Sequence, residues 1–154
     1  MEKKYIICDT AKSQWGKTET LLKVIDLLNR KFPEIYDSKY ALTSEKTSGK
    51  DKWCHFEKSN KKVVISTLGD PYSFQPQWMK DAAITGAKVI VTACRTKRST
   101  MNVVYNIARE CGYHIIWFRN FHIANPAIIE DLSIKNVRTE EAKCIVNIID
   151  SLLS

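Results

Sequence analysis

The sequence predicts an α/β protein, a three-layer αβα sandwich around a mainly parallel sheet with room for one antiparallel hairpin strand. Three observations carry that prediction. Short apolar runs alternate along the chain with segments whose apolar residues recur at helical spacing. A length of 154 residues with 44% hydrophobic content suits one domain, residues 1–154, with a real core. No apolar run approaches the roughly 20 residues of a membrane span, and the start Met1-Glu2-Lys3-Lys4 lacks the apolar stretch of a secretion signal. A soluble, cytoplasmic protein with no membrane partner is the expectation.

The elements follow in order. Lys4-Tyr5-Ile6-Ile7-Cys8 reads as a buried strand. From Thr18 to about Lys31, Leu21, Leu22, Ile25 and Leu28 mark one helical face, which ends before Pro33. Glu34-Ile35-Tyr36 is a candidate short strand, and residues 43–52 read as an exposed, Lys-rich loop. Trp53–Glu57 and Lys62–Thr67 form a strand pair around the turn-forming Lys58-Ser59-Asn60-Lys61. Pro76 opens a helix that Gly86 stops, and Ala87–Cys94 is a strong buried strand. Ser99 or Thr100 caps a helix carrying Val103, Val104, Ile107, Ala108 and Cys111, with Gly112 as its stop. Tyr113–Phe118 is a further strand, and residues 119–138 read as irregular with a short helix after Pro126. Thr139-Glu140-Glu141 then opens the last helix, its carboxylates placed in the first turn where the helix dipole favours them. Alternation of this kind means crossover connections and helices on both faces of the sheet.

Cysteine usage agrees with a reducing compartment. Cys8, Cys54, Cys94, Cys111 and Cys144 are odd in number, widely spaced and without a Cys-x-x-Cys, which fits neither a disulfide scaffold nor a zinc site. The net charge of +7 suits nucleic acid, a membrane surface or phosphate-bearing small molecules alike.

The segment that carries chemistry is Ala11-Lys12-Ser13-Gln14-Trp15-Gly16-Lys17-Thr18, between the first strand and the first helix. It fits a loose phosphate-binding loop: Gly or Ala, four residues, then Gly-Lys-Ser/Thr. Such a loop turns successive backbone N–H groups around a phosphate, and the following helix adds its positive end. Lys17 would reach the β- and γ-phosphates, the Thr18 hydroxyl would ligate Mg²⁺, and Gly16 would let the backbone approach without a Cβ between.

On these residues and on the α/β rhythm, the sequence resembles the P-loop nucleoside triphosphate hydrolase superfamily. The usual first glycine is Ala11 here, and Trp15 is bulkier than the residue normally found there; it either lies over the nucleotide or faces outward. The resemblance implies a P-loop fold and binding of ATP or GTP with Mg²⁺ through Lys12, Ser13, Gln14, Trp15, Gly16, Lys17 and Thr18. It also implies an acid after a buried strand that holds the metal shell. Asp70, after Lys62–Gly69, is the candidate, with Asp9 and Asp37 as alternatives; Asp37 stands where small-molecule kinases keep an acceptor-binding carboxylate. Thr67-Leu68-Gly69 resembles the switch segment of GTP-hydrolysing members. Arg95 and Arg98, after the strong strand, are placed to clamp transferring phosphoryl oxygens, as lid arginines do in relatives. Asn120 and Asn125-Pro126 fall where relatives contact the base. Lys12 matches the extra lysine of the chromosome-partitioning ATPases, which reaches across a homodimer to the partner's nucleotide.

Two functions of different class follow. One is a Mg²⁺-dependent enzyme, hydrolase or small-molecule kinase, with Lys17, Asp70, Arg95 and Arg98 as its catalytic set and Thr18 and Asp70 on the metal. The other is a regulatory module that binds nucleotide or anion without turnover, with a nucleic-acid partner suggested by seven lysines against three acids in residues 39–62.

Overall fold

The computed structural model describes residues 2–10, 17–31, 41–48, 51–58, 60–67, 75–94, 98–121 and 131–154. Six strands, β1 (Lys4–Thr10), β2 (Ala41–Ser48), β3 (Asp51–Lys58), β4 (Lys61–Ser66), β5 (Val89–Cys94) and β6 (Tyr113–Phe118), form one sheet in the order β2-β3-β4-β5-β1-β6. The β4–β5, β5–β1 and β1–β6 pairs are parallel, whereas β2–β3 and β3–β4 are antiparallel. Among the described residues four α-helices cover it: α1 (Lys17–Asp26), α2 (Gln75–Ile84), α3 (Arg98–Cys111) and α4 (Asp131–Leu153).

The layers follow from strand alternation. Ile7, Val63, Ile65, Val89 and Val91 point to one face, where Leu21, Val24 and Ile25 of α1 and Ile145, Val146 and Ile149 of α4 cover them. Ile6, Cys8, Val64 and Ile90 point to the other, under Met79 and Ala83 of α2 and Val104 and Ile107 of α3. The αβα sandwich expected from the sequence is thus present, with a mostly parallel sheet. No helix among the described residues is long and apolar enough to cross a membrane.

Several boundaries differ from expectation, each for a local reason. Residues 43–48, expected in a loop, lie in β2, and residues 51 and 52 lie in β3. A Lys- and Ser-rich segment suits an outermost strand, because charged and polar residues on an edge discourage further pairing. The antiparallel part is therefore two strands, not one. Regular α1 stops at Asp26 and continues as a π-helical turn, Leu27–Lys31, in which Leu27 and Leu28 are both buried. Helix α4 begins at Asp131, eight residues before the expected Thr139. The Thr139 hydroxyl is no cap; it donates to the Lys135 carbonyl at 2.9 Å, one turn back inside the helix.

Two turn residues sit where the sequence places them. At the end of α2, Gly86 takes φ 83°, its N–H reaches the Ala83 carbonyl at 3.1 Å, and the Ala87 N–H reaches Ala82 at 3.2 Å. This paired closure needs a left-handed residue, which glycine supplies without strain. Asn60 turns the β3–β4 hairpin with φ 63°. The strand expected at 34–36 and the helix after Pro126 lie outside the described residues.

Candidate functional site

The C-terminal ends of β4, β5, β1 and β6 lie along one edge of the sheet, as parallel pairing requires. After β1 the chain enters α1 on one face; after the adjacent β5 it enters α3 on the opposite face. Neighbouring connections that part to opposite faces leave a crevice between them, the usual ligand position in an open α/β sheet. Residues 11–16 span from Thr10 at the end of β1 to Lys17, the first residue of α1. The segment with the phosphate-loop pattern therefore joins the strand and the helix that flank this crevice.

Buried polar residues gather at the same edge. Asp9 is fully buried at the end of β1, in the alternation position that faces α1. Thr10, the next residue, is 9% exposed, and its hydroxyl has no hydrogen-bond partner among the described residues. Ser66 ends β4, Thr67 follows it, and Thr92 lies toward the end of β5; all three are buried. Side chains of this kind offer oxygen atoms, the donors preferred by hard cations such as Mg²⁺. Before them, β1, β4 and β5 are lined with Ile, Val and Cys instead. Cys8 and Cys94, on β1 and β5, bring their sulfurs to 3.2 Å; all five cysteines are thiols. No group of three or more His, Cys, Asp or Glu able to hold a metal occurs among the described residues.

A second polar cluster ties the chain after β6 to α1. Asn120, 2% exposed, donates from Nδ2 to the Thr20 hydroxyl at 3.1 Å. That hydroxyl donates to Glu141 Oε1 at 3.3 Å, and Glu141 Oε2 accepts the Phe121 N–H at 2.6 Å. Arg138 bridges to Glu141 Oε1 at 2.7 Å and to the Phe121 carbonyl at 3.2 Å. Arg138 and Glu141 are both buried, and the Arg138 Nε–H has no partner among the described residues. Buried charges persist when paired and hydrogen-bonded in this manner. The i,i+3 spacing of Arg138 and Glu141 on a helix was readable; their burial was not, because the segment was expected to be irregular up to 138. Thr20, Arg138, Glu141 and Phe121 are thus additions that the sequence reading missed.

The sequence-expected residues fall into three groups. Lys17 and Thr18 are the first two residues of α1, and Arg98 is the first of α3. Asn120 lies beside α1, with its side-chain amide directed at Thr20. Lys12, Ser13, Gln14, Trp15, Gly16, Asp37, Asp70 and Arg95 lie outside the described residues. The Lys-rich region 39–62 is partly engaged within the fold. Lys58 is buried and pairs with Asp150, while Lys61 donates to the Leu153 carbonyl at 3.3 Å. Both meet the C-terminal turns of α4, whose dipole favours cations.

Comparison of the chain with protein-family models, with curated proteins and with solved structures finds no match.

Proposed function

We propose that this protein binds a Mg²⁺-bound nucleoside triphosphate, ATP or GTP, at residues 11–18 and hydrolyses or transfers its γ-phosphoryl group. The observation that carries the reading is the position of this segment. A loop with the order Ala-x-x-x-x-Gly-Lys-Thr joins β1 to α1 where the connections after β1 and β5 part to opposite faces. The N-terminal turn of α1 offers N–H groups that have no partner within the helix, and a positive dipole end, to the phosphates. Lys17 would neutralise charge on the β- and γ-phosphates, and Thr18 and Asp70 would hold the metal. Bound there, Mg²⁺ supplies charge neutralisation on the phosphate oxygens. The oxygen-bearing side chains Asp9, Thr10, Ser66 and Thr67 along this edge fit a hard cation and its water shell better than a soft one. Arg95 and Arg98, which bracket the β5–α3 connection, would meet the transferring group from the other wall of the crevice. The bond from the γ-phosphorus to the bridging oxygen breaks, and one to water or an acceptor hydroxyl forms.

The test is titration of the protein with ATP and GTP, with and without Mg²⁺, for wild type and Lys17→Ala. Wild type is expected to bind in a Mg²⁺-dependent way. Lys17→Ala should bind about tenfold to a hundredfold more weakly, the worth of hydrogen bonds to a charged group. Equal binding by the two proteins, or none by wild type, refutes the reading. Release of inorganic phosphate under the same conditions separates an enzyme from a module that binds without turnover.

A further inference from the structure

Sulfur is unevenly shared between the two packed layers. The layer between the sheet and helices α2 and α3 contains Cys8 of β1, Cys94 of β5 and Met79 of α2, all fully buried, with Met101 of α3 packed against them. Met1 is the chain's one other methionine. Among the described residues the opposite layer buries a single cysteine, Cys54, and no methionine.

The thiols of Cys8 and Cys94 meet across neighbouring strands, Sγ to Sγ at 3.2 Å. In the β1–β5 register Cys8 stands opposite Thr92 and Cys94 opposite Thr10, so the two cysteines are diagonal neighbours. With strands about 4.8 Å apart and a rise of about 3.3 Å per residue, that diagonal spans about 8 Å between Cα atoms. A disulfide needs Cα atoms within about 7 Å, so closing one would require the strands to move. Both strands are paired on both sides, β5 between β4 and β1, and β1 between β5 and β6. A bridging ion needs no such movement. With metal–sulfur bonds of about 2.3 Å, it holds two sulfurs about 3.8 Å apart at a tetrahedral angle. A small change in side-chain torsion provides that opening.

The donor set selects the ion. Thiolate and thioether sulfurs are soft ligands and favour Cu(I) over hard cations such as Mg²⁺. A structural zinc site takes four protein ligands, and no group of three or more His, Cys, Asp or Glu able to hold a metal occurs among the described residues. The shell of Ile6, Ile90 and Val104 limits solvent access to the sulfurs, which helps to preserve the lower oxidation state of copper.

We infer that Cys8 and Cys94 form a binding site for a soft monovalent cation of the Cu(I) class, with the thioethers of Met79 and Met101 as the nearby candidates for a third donor. Two thiol protons leave as the two metal–sulfur bonds form, and the metal keeps its oxidation state. Cys94 is the last residue of β5, so the pair lies a short way in from the edge of the sheet. The site goes beyond the proposed function and does not depend on it, since none of its residues belongs to the phosphate loop.

The test starts from the double variant Cys111→Ser/Cys144→Ser, which removes the two cysteines that are not buried and leaves the pair. This protein is titrated anaerobically with Cu(I) against a colorimetric Cu(I) chelator, and one ion per chain is expected. Adding Cys8→Ala or Cys94→Ala should weaken binding by at least about a hundredfold, since losing an outer partner of a metal ligand already costs up to that much. Cys54→Ala, an equally buried change in the opposite layer, should leave binding as it was. X-ray absorption of the copper-loaded double variant should show a shell of sulfur alone, a readout that needs no substitution in the core. The inference is overturned if the double variant binds no Cu(I), or if Cys8→Ala and Cys94→Ala bind as it does. It is equally overturned if Cys54→Ala loses as much, or if nitrogen or oxygen fills the shell.

Discussion

Where the parallel strands begin, the polar groups are spent on the fold. Lys58 meets Asp150, Lys61 meets Glu2 at 3.4 Å and the end of α4, and Lys88 meets Glu2 and the Lys3 carbonyl. The Tyr113 hydroxyl donates to the Ala87 carbonyl at 2.5 Å. Where the same strands end, Asp9, Thr10, Ser66, Thr67 and Thr92 are buried, and the Thr10 hydroxyl has no partner among the described residues. A buried polar group costs stability unless it is hydrogen-bonded, so the partner of the Thr10 hydroxyl is to be sought beyond the described residues. The contrast teaches that ion pairs and hydrogen bonds close the core at one edge, while the other buries polar side chains next to the connections that carry the proposed site.

Three substitutions break or sharpen this contrast. The largest effect is expected at Glu141, where the crevice edge borrows the logic of the opposite one. Glu141→Ala leaves the Arg138 guanidinium and the Phe121 N–H without their buried acceptor. It should cost about 3–5 kcal/mol, the usual loss on removing one partner of a buried ion pair. Urea denaturation measures it, and a loss below about 1 kcal/mol would show that water replaces the carboxylate freely.

Thr10→Val is next, and its sign matters more than its size. Removing a buried hydroxyl that has no partner among the described residues, while keeping the shape, should stabilise the protein by about 1 kcal/mol. On the proposed function the same change should weaken Mg²⁺–nucleotide binding, because Thr10 ends the strand that leads into the proposed phosphate loop. A destabilised Thr10→Val would place this hydroxyl with the fold-building groups and dissolve the contrast at that position.

Tyr113→Phe probes the opposite edge. Loss of the hydrogen bond to Ala87 should cost about 1 kcal/mol at neutral pH. Burial pushes the Tyr113 phenol up to about 12, with the nearby Cys111 adding to the shift. The folded protein therefore keeps this proton more tightly than the unfolded chain does. The stabilisation is fully present below the ordinary phenol value near 10 and is lost as pH rises toward 12. Denaturation curves across that window should show wild type losing its advantage over Tyr113→Phe. A constant gap from neutral pH to 12 would mean that the phenol does not titrate differently on folding.

How far the sequence could be read varied with the range of the interactions involved. β6 was legible to the residue, Tyr113–Phe118, and β5 nearly so, because an apolar run bounded by turn residues is a local signal. Gly86 and Gly112 marked helix ends for the same reason. β2 was not legible: its polar residues become a strand only because β3 offers a pairing edge, and local pattern holds no trace of that edge. The start of α4 was misplaced because Thr139-Glu140-Glu141 has the composition of a first turn. Three-dimensional packing instead draws Glu141 inward to Arg138, Thr20 and Phe121.

By itself the sequence determined the layer plan and the candidate loop. Alternating apolar runs and helical periods admit few other architectures, and the loop is a contiguous string whose chemistry depends on order alone. Only the tertiary structure decided which strand ends share an edge with the loop, since β1 lies between β5 and β6, far from both in sequence. It alone separated the lysines that close the core from those that do not, and it alone brought residues 20, 120, 121, 138 and 141 into one cluster. The physical reason is the same in each case. Hydrogen bonds and burial act over a few ångströms in space, while pattern along the chain records only neighbours within a few turns.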